Sequence, residues 1–401
     1  MNMNSRSNIA SWGTSSAELV WRRFIRSPLN VACLVFIVFL SAVAVAAPFI
    51  ANDKPFVIRI GGRLCWPLFR SLRWIDYAAI LTAAVGVTQA VLIRRNLRRF
   101  APSVRAGVLC RQLGISCVVI LVGSILLFIL VPAKLDSANY KAMISSGEAV
   151  GAVFAPVPFG YDRTDLEARQ AGPSRRHWLG TDDVGADVLA RLIHASRISL
   201  SVGLVAVSIS TAIGIAAGAV LGYFGGKIDL VGMRIVEIVM AIPALLLVIT
   251  VFAFFPRSVV NIMLVIGLTS WTGTARLVRA EFLKLRRQDF VLAALSLGIP
   301  LRSIMFRHIL PNAIAPVLVN AAFGISAAIF TESTLSFLGF GIAPPTPSWG
   351  QMLSLGVGGS GRLVWWLAIF PGLAIFLAVL ACNFTAEALR DAIDPRVGRL
   401  R

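Results

Sequence analysis

Residue types that carry chemistry are sparse in this chain and rarely fall into a reactive pattern. The three histidines, His177, His194 and His308, lie far apart, and there is no HExxH or GxSxG run. Metal-assisted hydrolysis and serine acyl transfer both lack their starting residues. Five cysteines (Cys33, Cys65, Cys110, Cys117 and Cys382) are scattered without a CxxC or a Cys/His cluster. That spacing supports neither a disulfide framework nor a zinc site. The nearest approach to a phosphate loop is Gly222-Tyr223-Phe224-Gly225-Gly226-Lys227. A P-loop needs Gly, four residues, then Gly-Lys-Ser/Thr. Here Leu221 stands where the first Gly belongs and Ile228 follows the Lys. The segment reads as a glycine turn with a boundary lysine, so no nucleotide, metal or other cofactor is expected in this chain.

What the spacing offers is mechanical. Gly214, Gly218 and Gly222 recur on one helix face, where small residues let helix backbones approach closely in lipid. Residues 287–298, Arg287 to Gly298, have helical composition, with Asp289 near the start, the small pair Ala293-Ala294, and a Gly suited to ending a helix. The chain continues to Arg307-His308-Ile309-Leu310-Pro311-Asn312, where Pro311 can open the next helix. A helix–turn–helix elbow of this kind can be a docking knob or simply a solvated basic loop. Two acids fall in apolar surroundings, Glu237 with Arg234 a turn away, and Glu332. Intramembrane acids default to function, so Glu332 is a candidate for the wall of a translocation path, but it lies near the external end of its span and reads more readily as paired or solvated at an interface. Pro243 and Pro371 are expected to break helices and let a span bend around a cavity.

The composition says what must position these residues. The chain has 401 residues, 57% of them hydrophobic and 14% charged, with a net charge of +19 and mean hydropathy +0.80. Soluble domains carry about a quarter charged residues, and disorder needs far less apolar surface than this. A basic balance in so apolar a chain belongs at membrane boundaries and not on nucleic acid. Apolar stretches of spanning length fall at 31–50, 77–93, 114–132, 199–222, 232–255, 259–278, 313–338 and 363–386. Arginines before the first span, in the connector 94–112 and in 279–312 place those segments, and both termini, in the cytoplasm. One segment resists: 51–76 carries Lys54, Arg59, Arg63, Arg70 and Arg73 yet counts as external. Either 77–93 and 114–132 are not both spans, or 51–76 lies along the membrane surface. A cleaved signal peptide is not expected, because the stretch before the first apolar run is too long.

The elbow resembles the EAA loop of binding-protein-dependent ABC importer permeases, whose pattern is Glu-Ala-Ala, three residues, Gly, nine residues, Ile-x-Leu-Pro. Ala293, Ala294, Gly298, Leu310 and Pro311 fall on it; Leu292 replaces the Glu and His308 the Ile. The resemblance extends to the oligopeptide/dipeptide subfamily over residues 177–396, through His177-Trp178-Leu179-Gly180-Thr181-Asp182-Asp183, Thr331–Gly339, Pro344–Gly350 and Leu389–Arg396. Ile50–Pro55 and Phe154–Gly160 resemble the branch that includes microcin C and peptide uptake permeases.

That resemblance implies an all-α polytopic membrane protein of the bacterial inner membrane. Its type I importer core has six helices, and this sequence departs from the family pattern by two extra transmembrane helices, 77–93 and 114–132, inserted after the first. The implied divisions are a cytoplasmic tail (1–30), the first span (31–50), an insertion with an external loop (51–196), the core (197–391) and a second cytoplasmic tail (392–401). It implies a second permease subunit, two ATPase subunits that bind ATP and Mg²⁺, an extracytoplasmic substrate-binding protein and membrane lipid as partners. Asp289, Ala293, Ala294, Gly298, His308, Leu310 and Pro311 would couple to the ATPases. The implied cargo is oligopeptides, dipeptides or peptide-like compounds, with nickel or another small solute as the alternative. A secondary transporter would show repeated halves and mid-membrane ion ligands, and neither is found. A membrane enzyme would need a reactive constellation.

Overall fold

In lipid an apolar run can satisfy its backbone N–H and C=O groups only within itself, so each run becomes a helix. The computed structural model describes residues 16–99, 102–131, 138, 140–146, 149–358 and 363–394. A short amphipathic α1 (Ser16–Ile25) precedes α2 (Pro28–Ile50). A small antiparallel sheet follows, from β1 (Val57–Ile60) and β2 (Arg63–Cys65), with α3 (Pro67–Ser71) behind it. Then come the paired helices α4 (Trp74–Arg99) and α5 (Pro102–Leu130), α6 (Tyr140–Ser145) and β3 (Ala149–Val153). The long α7 (Val188–Phe224) leads to α8 (Gly226–Ala241) and α9 (Ala244–Phe254), then α10 (Val259–Thr269) and α11 (Trp271–Leu285). The elbow comprises α12 (Asp289–Ser296), α13 (Leu301–Ser303) and a π-turn at Ile304–Ile309, and opens into α14 (Leu310–Phe337). The last two helices are α15 (Trp349–Gly358) and α16 (Trp365–Ile393).

Five helical runs among the described residues are long and apolar enough to cross a membrane alone: α2, α4, α7, Leu301–Phe337 and α16. The stretch 232–255 does not form one straight span. It breaks between α8 and α9 with a bend of 79°. Pro243 sits in that break, where it has no N–H to continue the ladder. The stretch 259–278 is likewise two consecutive helices, joined at Ser270. Pro371, in contrast, breaks nothing. It lies in the second turn of α16, which runs on through it.

The segment 51–76 corrects the expectation most clearly. Its residues fold into strands and a short helix. Gly61 and Gly62, with φ of +55° and +80°, make a two-residue turn between β1 and β2, a geometry that glycine tolerates without strain. β1 then pairs antiparallel with β3, giving the order β2-β1-β3. This cap sits over one end of the helix bundle, where Asn52 donates its backbone N–H to the Val157 carbonyl at 3.1 Å.

The two ends of the bundle are distinct. The cap holds the N-terminus of α7 and the C-terminus of α2, joined by His194 Nε2 and the Ala51 carbonyl 2.9 Å apart. Trp366, near the start of α16, donates its Nε1–H to Thr181 of the cap at 3.0 Å. At the opposite end lie the α7–α8 turn, the elbow, α1 and the end of α16. Phe24 of α1 packs there against Ala388 and Ala392, and Arg23 donates to the Asp394 carbonyl.

Candidate functional site

The elbow is built on one close helix contact. α7 and α11 lie against each other along Gly214, Gly218 and Gly222. A Cβ at Gly214 would stand 2.5 Å from Thr274 Cβ, one at Gly218 2.4 Å from the Ala275 carbonyl, and one at Gly222 2.6 Å from the Arg279 carbonyl. No side chain larger than hydrogen fits at that separation. Van der Waals contact is the main attraction between helices in lipid, so this seam is what sets α11. Two arginines of α11 and its C-cap then lock the α7–α8 turn. Arg279 grips Asp229 through both Nε and Nη2, the latter at 2.6 Å, a fork that a carboxylate accepts well. Arg286 donates to the Tyr223 carbonyl at 2.7 Å.

From α11 the chain turns at Gln288 into α12. Asp289 occupies the first turn, exposed, where a carboxylate complements the helix dipole. α12 ends in a reciprocal pair of backbone bonds, Gly298 N–H to the Leu295 carbonyl and Ile299 N–H to that of Ala294. That closure requires a left-handed residue, and Gly298 has φ of +70°. Pro300 leads into α13 and the π-turn that carries His308, which is half-buried and gives its carbonyl to Asn312 Nδ2 at 2.7 Å. Leu310 is half-buried beside the core and Pro311 opens α14.

The small pair does not act as a pair. Ala294 is buried with Val291, Ile304 and Ile309 against Val278 and Phe282 of α11, whereas Ala293 is exposed. Around Ala293 lies a surface that the sequence reading missed. Phe290, Leu292, Leu297 and Phe306 are exposed, Leu297 by 79% and Phe306 by 61%. A helix apolar on both faces inside a basic segment was the available signal. Large apolar side chains left exposed mark a surface that another protein or lipid covers.

Glu332 turns out differently from expectation. Its carboxylate has no exposed surface and is enclosed by serines. Ser336 Oγ donates at 2.7 Å, Ser199 of α7 at 3.3 Å and Ser333 at 3.5 Å, with Ser348 Oγ 3.2 Å behind Ser336. Within this subunit Glu332 therefore lines no open path. It ties α14 to α7 and to the loop before α15. The loop packs there closely, for a Cβ at Gly350 would stand 2.3 Å from the Ser333 carbonyl. Pro243 is exposed at its bend, and Glu237 is exposed and paired with Arg234 at 2.7 Å.

The motif from His177 to Arg191 has a positional role that its sequence did not disclose. Asp187 caps α7 through the Ala190 N–H at 2.8 Å and holds His177 Nδ1 at 2.8 Å. Asp182 accepts from the Val184 and Ala186 N–H groups and pairs with the buried Arg191. Among the described residues no group of three His, Cys, Asp or Glu side chains is placed to hold a metal.

Comparison with known proteins places these elements. Residues 214–399 match the family "Binding-protein-dependent transport system inner membrane component", and residues 15–60 match "N-terminal TM domain of oligopeptide transport permease C". The chain is 39% identical over 251 residues to the dipeptide transport system permease protein DppC of Alkalihalophilus pseudofirmus, covering 61% of this chain and 81% of the relative. It is 38% identical over 248 residues to the oligopeptide transport system permease protein OppC of Bacillus subtilis, with the same shares of 61% and 81%. The same aligned residues are the smaller share of this chain, so this chain is the longer in each comparison. Among solved structures it is similar to the inward-facing MetNI methionine ABC transporter, at 18% identity and a TM-score of 0.42, covering 51% of this chain and 97% of the other.

Proposed function

The chain belongs to the family of binding-protein-dependent transport system inner membrane components, and from that premise we propose that it forms one half of the translocation path of an ATP-driven peptide importer. As a family member it is a multi-pass permease subunit and not an enzyme; hydrolysis belongs to partner ATPases. The proposed cargo is oligopeptides or dipeptides, the substrates named for its relatives. A second permease would complete the path, two ATPase subunits would bind the ATP and Mg²⁺, and a substrate-binding protein would deliver cargo on the far side. Both termini and the elbow would be cytoplasmic, and the cap extracytoplasmic.

One observation carries the mechanism. The elbow is packed on α11 and α7, yet presents an exposed apolar face. Its seat is a continuous core running from Ala219 through Phe282 and Val291 to Ala313. A cleft in an ATPase that gripped Phe290, Leu297 and the space over Ala293 would therefore move α11 and α14 together. The permease is then a two-state element, biased by ATP at the elbow and by loaded binding protein at the cap. Asp289, Gly298, His308, Leu310 and Pro311 shape the knob, and Ala293 and Ala294 divide its contact side from its seated side. The test is gentle purification from the native membrane, with identification of what copurifies. A second permease and P-loop ATPases support the reading. A stable chain that binds no ATPase overturns it.

A further inference from the structure

A cleft of about 310 Å³ opens on the cap, far from the elbow. It is lined by Pro156, Pro158, Phe159, Trp178 and Leu189, with Arg175 and Arg176 among its walls. Its chemistry is one-sided. Arg175 is exposed and forms no ion pair among the described residues, and the acid near Arg176 is Asp165, 3.6 Å away and itself exposed. Lys141 stands beside the same wall, its Nζ 2.5 Å from the Pro158 carbonyl and 4.3 Å from the centre of the Phe159 ring. Burial, and then repulsion from Arg176, hold the Lys141 ammonium below the usual lysine range. The carboxylate in the lining, Asp187, is spent inward on His177 and the α7 N-terminus. At the mouth Trp178 leaves 62% of its surface in water.

We propose that this cleft receives an acidic side chain of the extracytoplasmic substrate-binding protein, flanked by an apolar residue that covers Trp178. The charge of Arg175, with that of Arg176 only loosely met by Asp165, favours a negative partner, and the apolar floor favours more than a free anion. Tryptophan and arginine together at a concave site are the residue types that dominate protein–protein contacts. The cap stands over the N-terminus of α7, which runs the length of the subunit to the Gly214–Gly222 seam. Pressure at the cleft thus bears directly on the helix that seats the elbow. This inference rests on the proposed importer reading and names where the delivery protein docks.

The experiment uses the complete transporter in proteoliposomes, with its cognate loaded binding protein titrated against ATPase rate. Arg175→Glu with Arg176→Glu should raise the half-saturating concentration of binding protein by about tenfold or more, through a slower encounter and a lost charge pair. Basal ATPase without binding protein should stay unchanged, Arg175→Lys with Arg176→Lys should keep most of the wild-type response, and Trp178→Ala should weaken half-saturation independently. An unchanged half-saturation in an active complex overturns the docking site while leaving the importer reading intact. A shift seen only in vesicles containing anionic lipid would assign the arginines to the membrane and equally overturn it. Absence of ATPase subunits from the wild-type preparation would instead remove the importer reading itself.

Discussion

Ala293 and Ala294 are neighbours in sequence and face opposite ways, so they offer a clean separation of coupling from folding. Ala294 lies in a packed seam with Val278, Phe282 and Ile304. Enlarging it to Leu should cost about 1–3 kcal/mol by overpacking, visible as a lower unfolding temperature in detergent. Ala293 is exposed, and Ala293→Glu should change stability by less than about 0.5 kcal/mol. It should nonetheless abolish substrate-stimulated ATPase activity, because the carboxylate would be buried unpaired under the ATPase. Normal transport by the Glu variant would remove the elbow from the coupling path. A second residue-scale expectation concerns Gly218, whose added Cβ would press on the Ala275 carbonyl and Val278. Backbone cannot rotate aside as a side chain can. Gly218→Val should therefore force α7 and α11 apart and lower the yield of folded protein, as read by size-exclusion chromatography, whereas Gly273→Ala, with open space around it, should be neutral.

At the scale of elements the α4–α5 hairpin is the feature to explain. Its faces are broadly apolar and exposed, with Val87 at 67% and Ile129 at 70%, as lipid contact requires. Among the described residues it is tied to the rest by Asp76, paired with Arg197 of α7 at 2.5 Å, both largely buried. Asp76 also caps its own helix through the Arg73 N–H at 2.7 Å. Asp76→Asn would leave the Arg197 guanidinium buried without its charge, a loss of about 3–5 kcal/mol in comparable cases. Easier proteolysis of the hairpin, with partial recovery on adding Arg197→Gln, is the expected result. Equal protease resistance in wild type and Asp76→Asn would show the hairpin to be held elsewhere. Much at this scale was legible in the sequence: apolar length gave the helices, and Gly298 and Pro311 gave the ends of the elbow. The cap was not legible, because β1 finds its partner β3 about a hundred residues on, and alternation over so short a strand has no reach. Nor was the burial of Glu332. Its partners Ser199 and Ser348 come from other elements, and nothing near Glu332 in sequence announces them.

For the whole molecule, the arrangement makes a prediction about sidedness that does not depend on any named substrate. α2, α7 and α16 each connect the cap end to the elbow end, so the two ends must lie on opposite faces of a membrane that these helices cross. The arginines of 279–312 argue for an elbow on the inside. In a variant cleared of Cys33, Cys65, Cys110, Cys117 and Cys382, a single cysteine at Arg302 should react with an impermeant maleimide only after the membrane is opened. A cysteine at Arg59 on β1 should react in intact spheroplasts. The β1 site is decisive, because it lies in the basic segment whose charge alone argues for the cytoplasm. Its place at the cap end, across α2 from the elbow end, argues for the outside. Labelling of Arg59 only in opened membranes would mean that α2 does not carry the chain from the inside to the outside. The cap would then be cytoplasmic, and no extracytoplasmic protein could reach the Arg175–Trp178 cleft. Labelling in intact spheroplasts leaves one axis through the molecule, from a charged cleft outside, along α7, to an apolar knob within. Force applied at either end of that axis must be felt at the other.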